Sequence, residues 1–128
     1  MVEDMPLDLP EPDTSLFDDG TNRVERCGII VKNPDGTHWI KELPNRADDP
    51  TRDFRIDNAD VKAALLPDTD IVGVIHTHPY RSSMLPSEAD IDSIPRGLVG
   101  MVYHPSTTSV AWYDNLGTID YRQRRKRR

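Results

Sequence analysis

The stretch Ile75-His-Thr-His-Pro-Tyr-Arg-Ser-Ser-Met-Leu-Pro-Ser-Glu-Ala-Asp-Ile91 decides how this chain folds. It follows Asp70-Ile-Val-Gly-Val74, an apolar and β-branched run, so the segment reads as a buried strand that ends in His76 and His78. Side chains alternate faces along a strand, so two histidines two positions apart point the same way. Pro79 stops the strand, the Ser-Ser-Met-Leu-Pro segment turns the chain, and Ser87 opens a short helix as its N-cap. That order of events returns Asp90 towards the two imidazoles.

Outward from this stretch, Arg26 to Lys32 and Thr37 to Leu43 read as two strands joined by Asn33-Pro34-Asp35-Gly36, a turn sequence. A polar loop from Pro44 to Arg52 leads to a short extended piece, Asp53 to Ile56. Asp57 or Asn58 then caps a helix whose apolar positions Val61, Ala64 and Leu65 recur at helical spacing, ending before Pro67. Strands are expected at Gly97–His104, Ser109–Tyr113 and Thr118–Tyr121, with a turn at Asp114-Asn-Leu-Gly117. The order is two strands, helix, strand, helix, three strands, without internal repeats. It implies a mixed α/β or α+β domain.

At 128 residues and 36% hydrophobic content, the chain suits one domain with a single core. Its net charge of -6 conceals an asymmetry. Residues 1–20 carry seven Asp or Glu and no Lys or Arg, whereas Arg122 to Arg128 carry six positive charges. The division expected is therefore an acidic, proline-containing extended arm over 1–23, with Leu16 and Phe17 as its anchor, a folded domain over 24–121 and a basic tail over 122–128. Such charge blocks are usually solvated; they also suit assembly partners, nucleic acid or a contact between the two termini. No aromatic residue interleaves with the arginines, so base stacking has no support.

Cys27 is the only cysteine, which excludes an intramolecular disulfide and a Cys-rich zinc site. The first residues show no basic n-region and no apolar h-region, and no run reaches the length of a membrane span. The expectation is a soluble, cytoplasmic protein with no membrane partner.

His76, His78 and Asp90 meet the ligand count of a catalytic zinc site, which takes three protein ligands and keeps one open position. Two neutral imidazoles and one carboxylate leave a divalent ion net positive, able to polarise a carbonyl. Taken singly, each residue has an ordinary explanation. His76 suits a buried strand histidine bonded to a carbonyl, Pro79 a strand terminator, Ser87 an N-cap, and Asp90 an acid favoured by the helix dipole. Their occurrence together and in order, at the end of a core strand, favours the metal. An H-E-x-x-H helix and a Cys-x-x-Cys partner are both absent.

His76-Thr-His-Pro79, seven residues, then Ser87-Glu-Ala-Asp90 resembles the H-x-H-P-x(6–8)-S-x-x-D signature of the JAMM (MPN+, JAB) zinc metalloprotease family. Prokaryotic members carry an upstream glutamate in a Glu-x-Cys-Gly segment, which Glu25-Arg-Cys-Gly28 matches. Asn45, Asp49-Pro50, Phe54-Arg-Ile-Asp57 and Tyr103 lie in segments that also look similar to prokaryotic and phage JAB domains. The resemblance implies an MPN/JAB-type mixed sheet flanked by short helices, a cytidine-deaminase-like architecture. By analogy, His76, His78 and Asp90 bind Zn2+, Glu25 shuttles the proton, and Ser87 helps hold the oxyanion. Glu42 is the rival base, in no matching segment. His38 and His104 have no place in the motif and read as structural. The family usually has a helix before the Glu strand, whereas Pro6, Pro10, Pro12 and Gly20 leave room for one turn at most.

The activity implied is hydrolysis of a peptide or isopeptide bond, on a peptide or protein substrate such as a ubiquitin-like protein, or in phage tail assembly. A phage origin would make the protein virion-associated. A scaffold with a vestigial or structural zinc site is the competing class, its charged ends docking to neighbours. A factor that binds nucleic acid through residues 122–128 is a third.

Overall fold

The computed structural model describes residues 9–20, 23–79 and 83–123. The first eight residues of the acidic arm and residues 124–128 of the basic tail lie outside the described residues.

Cys27–Lys32 forms β1 and His38–Leu43 forms β2, joined by the expected turn. There Gly36 takes a φ of 89°, which glycine adopts without strain, and its N–H donates to the Asn33 carbonyl at 2.9 Å. Asn58–Ala64 forms α1, Asp70–Thr77 forms β3, and Glu88–Ser93 forms α2. Three strands close the chain: β4 (Val99–His104), β5 (Ser109–Asp114) and β6 (Gly117–Gln123). They make one six-stranded sheet in the order β2-β1-β3-β4-β5-β6. Every neighbouring pair is antiparallel except β3 and β4, which are parallel. A parallel pair needs a crossover, and the segment carrying α2 supplies it. This is an α+β fold of the kind expected for a JAB/MPN domain.

Both helices pack on one face of the sheet. Val61 and Ala64 of α1 cover Ile29, Val31 and Leu43, while Ile91 and Ile94 of the α2 region cover Val102, Ala111 and Tyr113. Asp57 is the α1 cap, accepting from the Ala59 N–H at 3.0 Å. Leu65, expected among the apolar positions of that helix, is instead its C-cap residue and 42% exposed. The helix closes at Ala64 because Pro67 disfavours helical backbone just ahead of it.

The opposite face holds Ile30, Ile75, Met101, Tyr103 and Trp112, and residues 9–17 lie against it. Ser15–Phe17 makes a single 3-10 turn, and Phe17 is wholly buried in that core. Polar contacts hold this segment and the two residues after it against the sheet, among them an ion pair of Glu11 with Arg122 of β6. The Trp112 Nε1–H donates to the Pro10 carbonyl at 2.8 Å, the Tyr103 hydroxyl donates to Asp18 at 2.7 Å, and Arg26 pairs with Asp19 at 2.7 Å. Among the described residues, no helix is long and apolar enough to cross a membrane.

Candidate metal centre

The register of β1 against β3 brings the histidines to the acid. Cys27 lies opposite His76, and the ladder runs on past the strand ends. The Thr77 N–H donates to the Arg26 carbonyl at 2.8 Å, and the Arg26 N–H donates to the Thr77 hydroxyl at 2.9 Å. One step further, Glu25 faces His78. Paired residues share a face, so Cys27, Glu25, His76 and His78 all stand on the side that carries the helices. On its other flank, the His78 N–H donates to the Tyr103 carbonyl at 3.0 Å.

The crossover supplies the remaining group. Ser87 and Asp90 form a capping box: the Asp90 N–H donates to Ser87 Oγ at 3.1 Å, and the Ser87 N–H donates to Asp90 Oδ2 at 2.8 Å. That same Oδ2 lies 3.3 Å from His76 Nε2 and 3.4 Å from His78 Nε2, and the two nitrogens are 3.1 Å apart. Ligand atoms around a tetrahedral ion with bonds of about 2.05 Å are separated by about 3.3 Å, so this triangle has the size such an ion requires. Without a cation, three electron-rich atoms at these spacings repel unless protons intervene. Glu25 belongs to the same cluster, a carboxylate oxygen and both imidazoles lying within 4.8 Å of one another. The buried Glu25, His76 and His78 could thus hold a metal ion, with Asp90 beside both histidines.

Environment separates the two carboxylates. Burial pushes the Glu25 carboxyl up to about 7; His78 draws it down, and Asp90 and Asp53 add to the rise. Burial alone would also raise Asp90, but hydrogen bonds and charge from His76 and His78, with the Ser87 N–H, hold it well below the usual carboxylate range. Burial drives His76 towards its neutral form. For His78 the downward effect of burial is outweighed by Asp90, the Ser83 carbonyl and Glu25, which raise it. One carboxylate is therefore held towards its ionised form and the other is poised near neutrality, the division that acid–base chemistry uses.

A cavity of about 480 Å³ opens over the cluster, lined by Glu25, His78 and Asp90 and by Arg52, Asp53, Phe54, Ser83 and Ser87. Ser87 is exposed to it. Its oxygen accepts the cap bond while its hydroxyl proton stays available to a bound molecule, so the two readings of Ser87 coexist. Glu42, the rival base, is clamped by Arg26 through paired hydrogen bonds of 2.7 Å each. His104 is buried beside Ser106, whose Oγ lies 2.9 Å from its Nδ1. Two further residues shape the site, and both lie in segments that resemble prokaryotic JAB domains. Phe54 stacks on His76, and Asn45 binds the Glu25 carbonyl at 2.8 Å. The resemblance marks their segments without a role for either side chain, and local chemistry adds only that Phe54 is a lone aromatic in a polar stretch.

No curated protein matches the chain. The profile of the prokaryotic homologs of the JAB domain matches residues 18–115, a span that takes in Glu25, both histidines, Ser87 and Asp90. On that match, and with the mixed sheet around the cluster, the chain belongs to the prokaryotic JAB-domain family.

Proposed function

We propose that this protein is a zinc-dependent hydrolase that cuts a peptide or isopeptide bond, with His76, His78 and Asp90 as the ligands. The observation that carries the reading is the triangle of 3.1, 3.3 and 3.4 Å among their donor atoms, with Glu25 beside it at the floor of an open cavity. A bound zinc ion would supply a Lewis acid that polarises a carbonyl and makes water acidic near neutral pH. The Glu25 carboxylate takes the proton from attacking water and passes it to the leaving amine. Its pKa of about 7 suits both halves of that transfer. The Ser87 hydroxyl, exposed at the cavity wall, donates to the oxygen of the tetrahedral carbon. Arg52 and Phe54 border the space where the flanking residues of a substrate lie. A ubiquitin-like protein tail or a component of phage tail assembly is the substrate class we favour, on family resemblance.

Metal analysis of the purified chain tests the first step, with about one zinc per wild-type chain expected and none in His78→Ala. Wild-type protein that takes up no zinc from a buffered zinc solution overturns the reading. Glu25→Gln then tests the second. It should retain the metal and lose roughly 10²–10⁴-fold in turnover of a ubiquitin-like fusion or a peptide library.

A further inference from the structure

His76 and His78 are held in place by different means. The His78 Nδ1–H donates to the Ser83 carbonyl at 2.5 Å, the outer contact that ordinarily fixes the tautomer and ring plane of a metal-binding imidazole. His76 has no such contact. Its ring is fully buried, and its Nδ1 finds no hydrogen-bond partner among the described residues. With Nε2 turned to His78 and Asp90, Nδ1 carries the proton of the neutral ring, and no acceptor restrains rotation about the terminal side-chain bond.

Aromatic faces touch the ring instead. Phe54 stacks on it at a centroid distance of 4.2 Å and an interplanar angle of 18°, and Tyr113 meets it edge-on at 6.3 Å and 80°. A parallel ring this close blocks rotation, because any twist of the imidazole drives one of its edges into the phenyl face. Phe54 is itself fixed. Asn45 accepts from the Arg55 N–H at 3.0 Å and donates to the Asp53 carbonyl at 2.9 Å, so one carboxamide grips the chain on both sides of the phenylalanine. The same side chain donates to the Glu25 carbonyl at 2.8 Å and accepts from the Ala47 N–H at 3.0 Å, which uses its full hydrogen-bonding capacity.

We propose that Phe54 is the positioning residue of His76, a stacked shelf mounted on Asn45 that sets the imidazole plane as the Ser83 carbonyl does for His78. The inference rests on the metal reading above.

The test uses the full chain as wild type, Phe54→Leu and Phe54→Tyr. Its readouts are zinc affinity by competition with a chromophoric chelator, the visible absorption of bound cobalt(II), and the melting temperature of the metal-free protein. Phe54→Leu should bind zinc about 10–100-fold more weakly and show an altered cobalt spectrum, while Phe54→Tyr, which keeps the flat face, stays within about threefold of wild type. A purely packing role would lower the melting temperature and leave the cobalt bands of the folded protein unchanged. If Phe54→Leu does not fold, Phe54→Met keeps an apolar side chain of similar reach without the flat face and carries the same expectation. Wild-type affinity and an unaltered spectrum in the leucine or methionine variant overturn this inference alone. A wild-type chain that binds neither ion overturns the metal reading and this one with it.

Discussion

Asp90→Asn separates what Asp90 does for the helix from what it does for the metal. In the native chain one oxygen, Oδ2, accepts the Ser87 N–H at 2.8 Å and faces two imidazole nitrogens at 3.3 and 3.4 Å. An asparagine keeps a carbonyl oxygen for the cap and gives up the charge. In the metal-free protein it should cost the helix-dipole contribution of an acid in the first turn, about 0.3–1 kcal/mol, together with the charge that Asp90 shares with His76 and His78. Asp90→Ala also removes the acceptor of the Ser87 N–H, one of the two bonds of the capping box, and should cost about 0.5–1.5 kcal/mol more. Metal affinity should fall much further. Losing an outer contact to a ligand typically costs 10–100-fold, so losing the charge of a ligand itself should reach at least about 100-fold. At a free zinc level 1,000 times the wild-type Kd, binding stabilises the native chain by about 4.1 kcal/mol, and a variant bound 100-fold more weakly gains about 1.4 kcal/mol. The difference of about 2.7 kcal/mol corresponds to roughly 10 °C in melting temperature for a chain of this size. Thermal melts with EDTA and with buffered zinc, beside a chelator competition, read both effects. An Asp90→Asn protein whose zinc-induced shift equals that of wild type would refute Asp90 as a ligand, and with it the triangle on which the function rests.

Two further outcomes follow from the same geometry. The Glu25 carboxyl titrates near 7 in the fold against 4.5 in the free side chain, so the fold favours its protonated form, and the stability this contributes is full below about pH 4.5 and lost as pH rises through 7. Metal-free wild type should therefore lose melting temperature relative to Glu25→Gln between pH 5 and pH 8. The effect is at most about 3 kcal/mol and smaller after solvent screening through the open cavity; a constant difference between the two proteins across that range contradicts it. Gly100→Ala should destabilise by about 1–3 kcal/mol, because a Cβ there would lie 2.1 to 2.5 Å from ring carbons of the buried Tyr113. A denaturant midpoint like that of wild type would show that this ring can move.

The parts of this fold that were legible in the sequence are those written in short-range chemistry. The β-branched run before His76, the Asn33-Pro-Asp-Gly36 turn and the Ser87 cap each announce themselves within about ten residues, and all three occur in the structure. The pairing of His76 with His78 needed only the alternation of a strand. Glu25 did not follow from local chemistry, since an acid between Arg23 and Arg26 suits a solvated strand edge equally well. It was found through resemblance, and its place across from His78 depends on a β1–β3 register that no local signal specifies. The resemblance takes in the segments of Phe54 and Asn45 as well, but the roles of these two side chains were harder to read. Their contacts, one with a ring 22 residues away and one with a carbonyl 20 residues back, have no periodicity to betray them. The burial of Phe17 under the sheet differs, since Leu16 and Phe17 stand out in the sequence as the apolar anchor of an acidic arm. Among the described residues no helix covers the face bearing Ile30, Ile75 and Trp112, and that anchor packs there.

The cost of the cluster is the strongest argument that it has a use. Val102 and Ala111, on the same sheet face as His76, show what the fold places there when packing alone decides. Two imidazoles and two carboxylates buried together instead must be desolvated, and one His76 nitrogen has no partner among the described residues. Each group is nevertheless aimed by contacts that a metal does not supply. The Pro50 carbonyl and Asn45 hold the Glu25 backbone, Tyr103 and Ser83 hold His78, the capping box holds Asp90, and Phe54 covers His76. Polar groups held this firmly, at the end of a core strand and beneath an open cavity, impair the packing of the sheet and improve nothing else in it. Departures of that kind from the packing rule are expected where a chain has been shaped for chemistry.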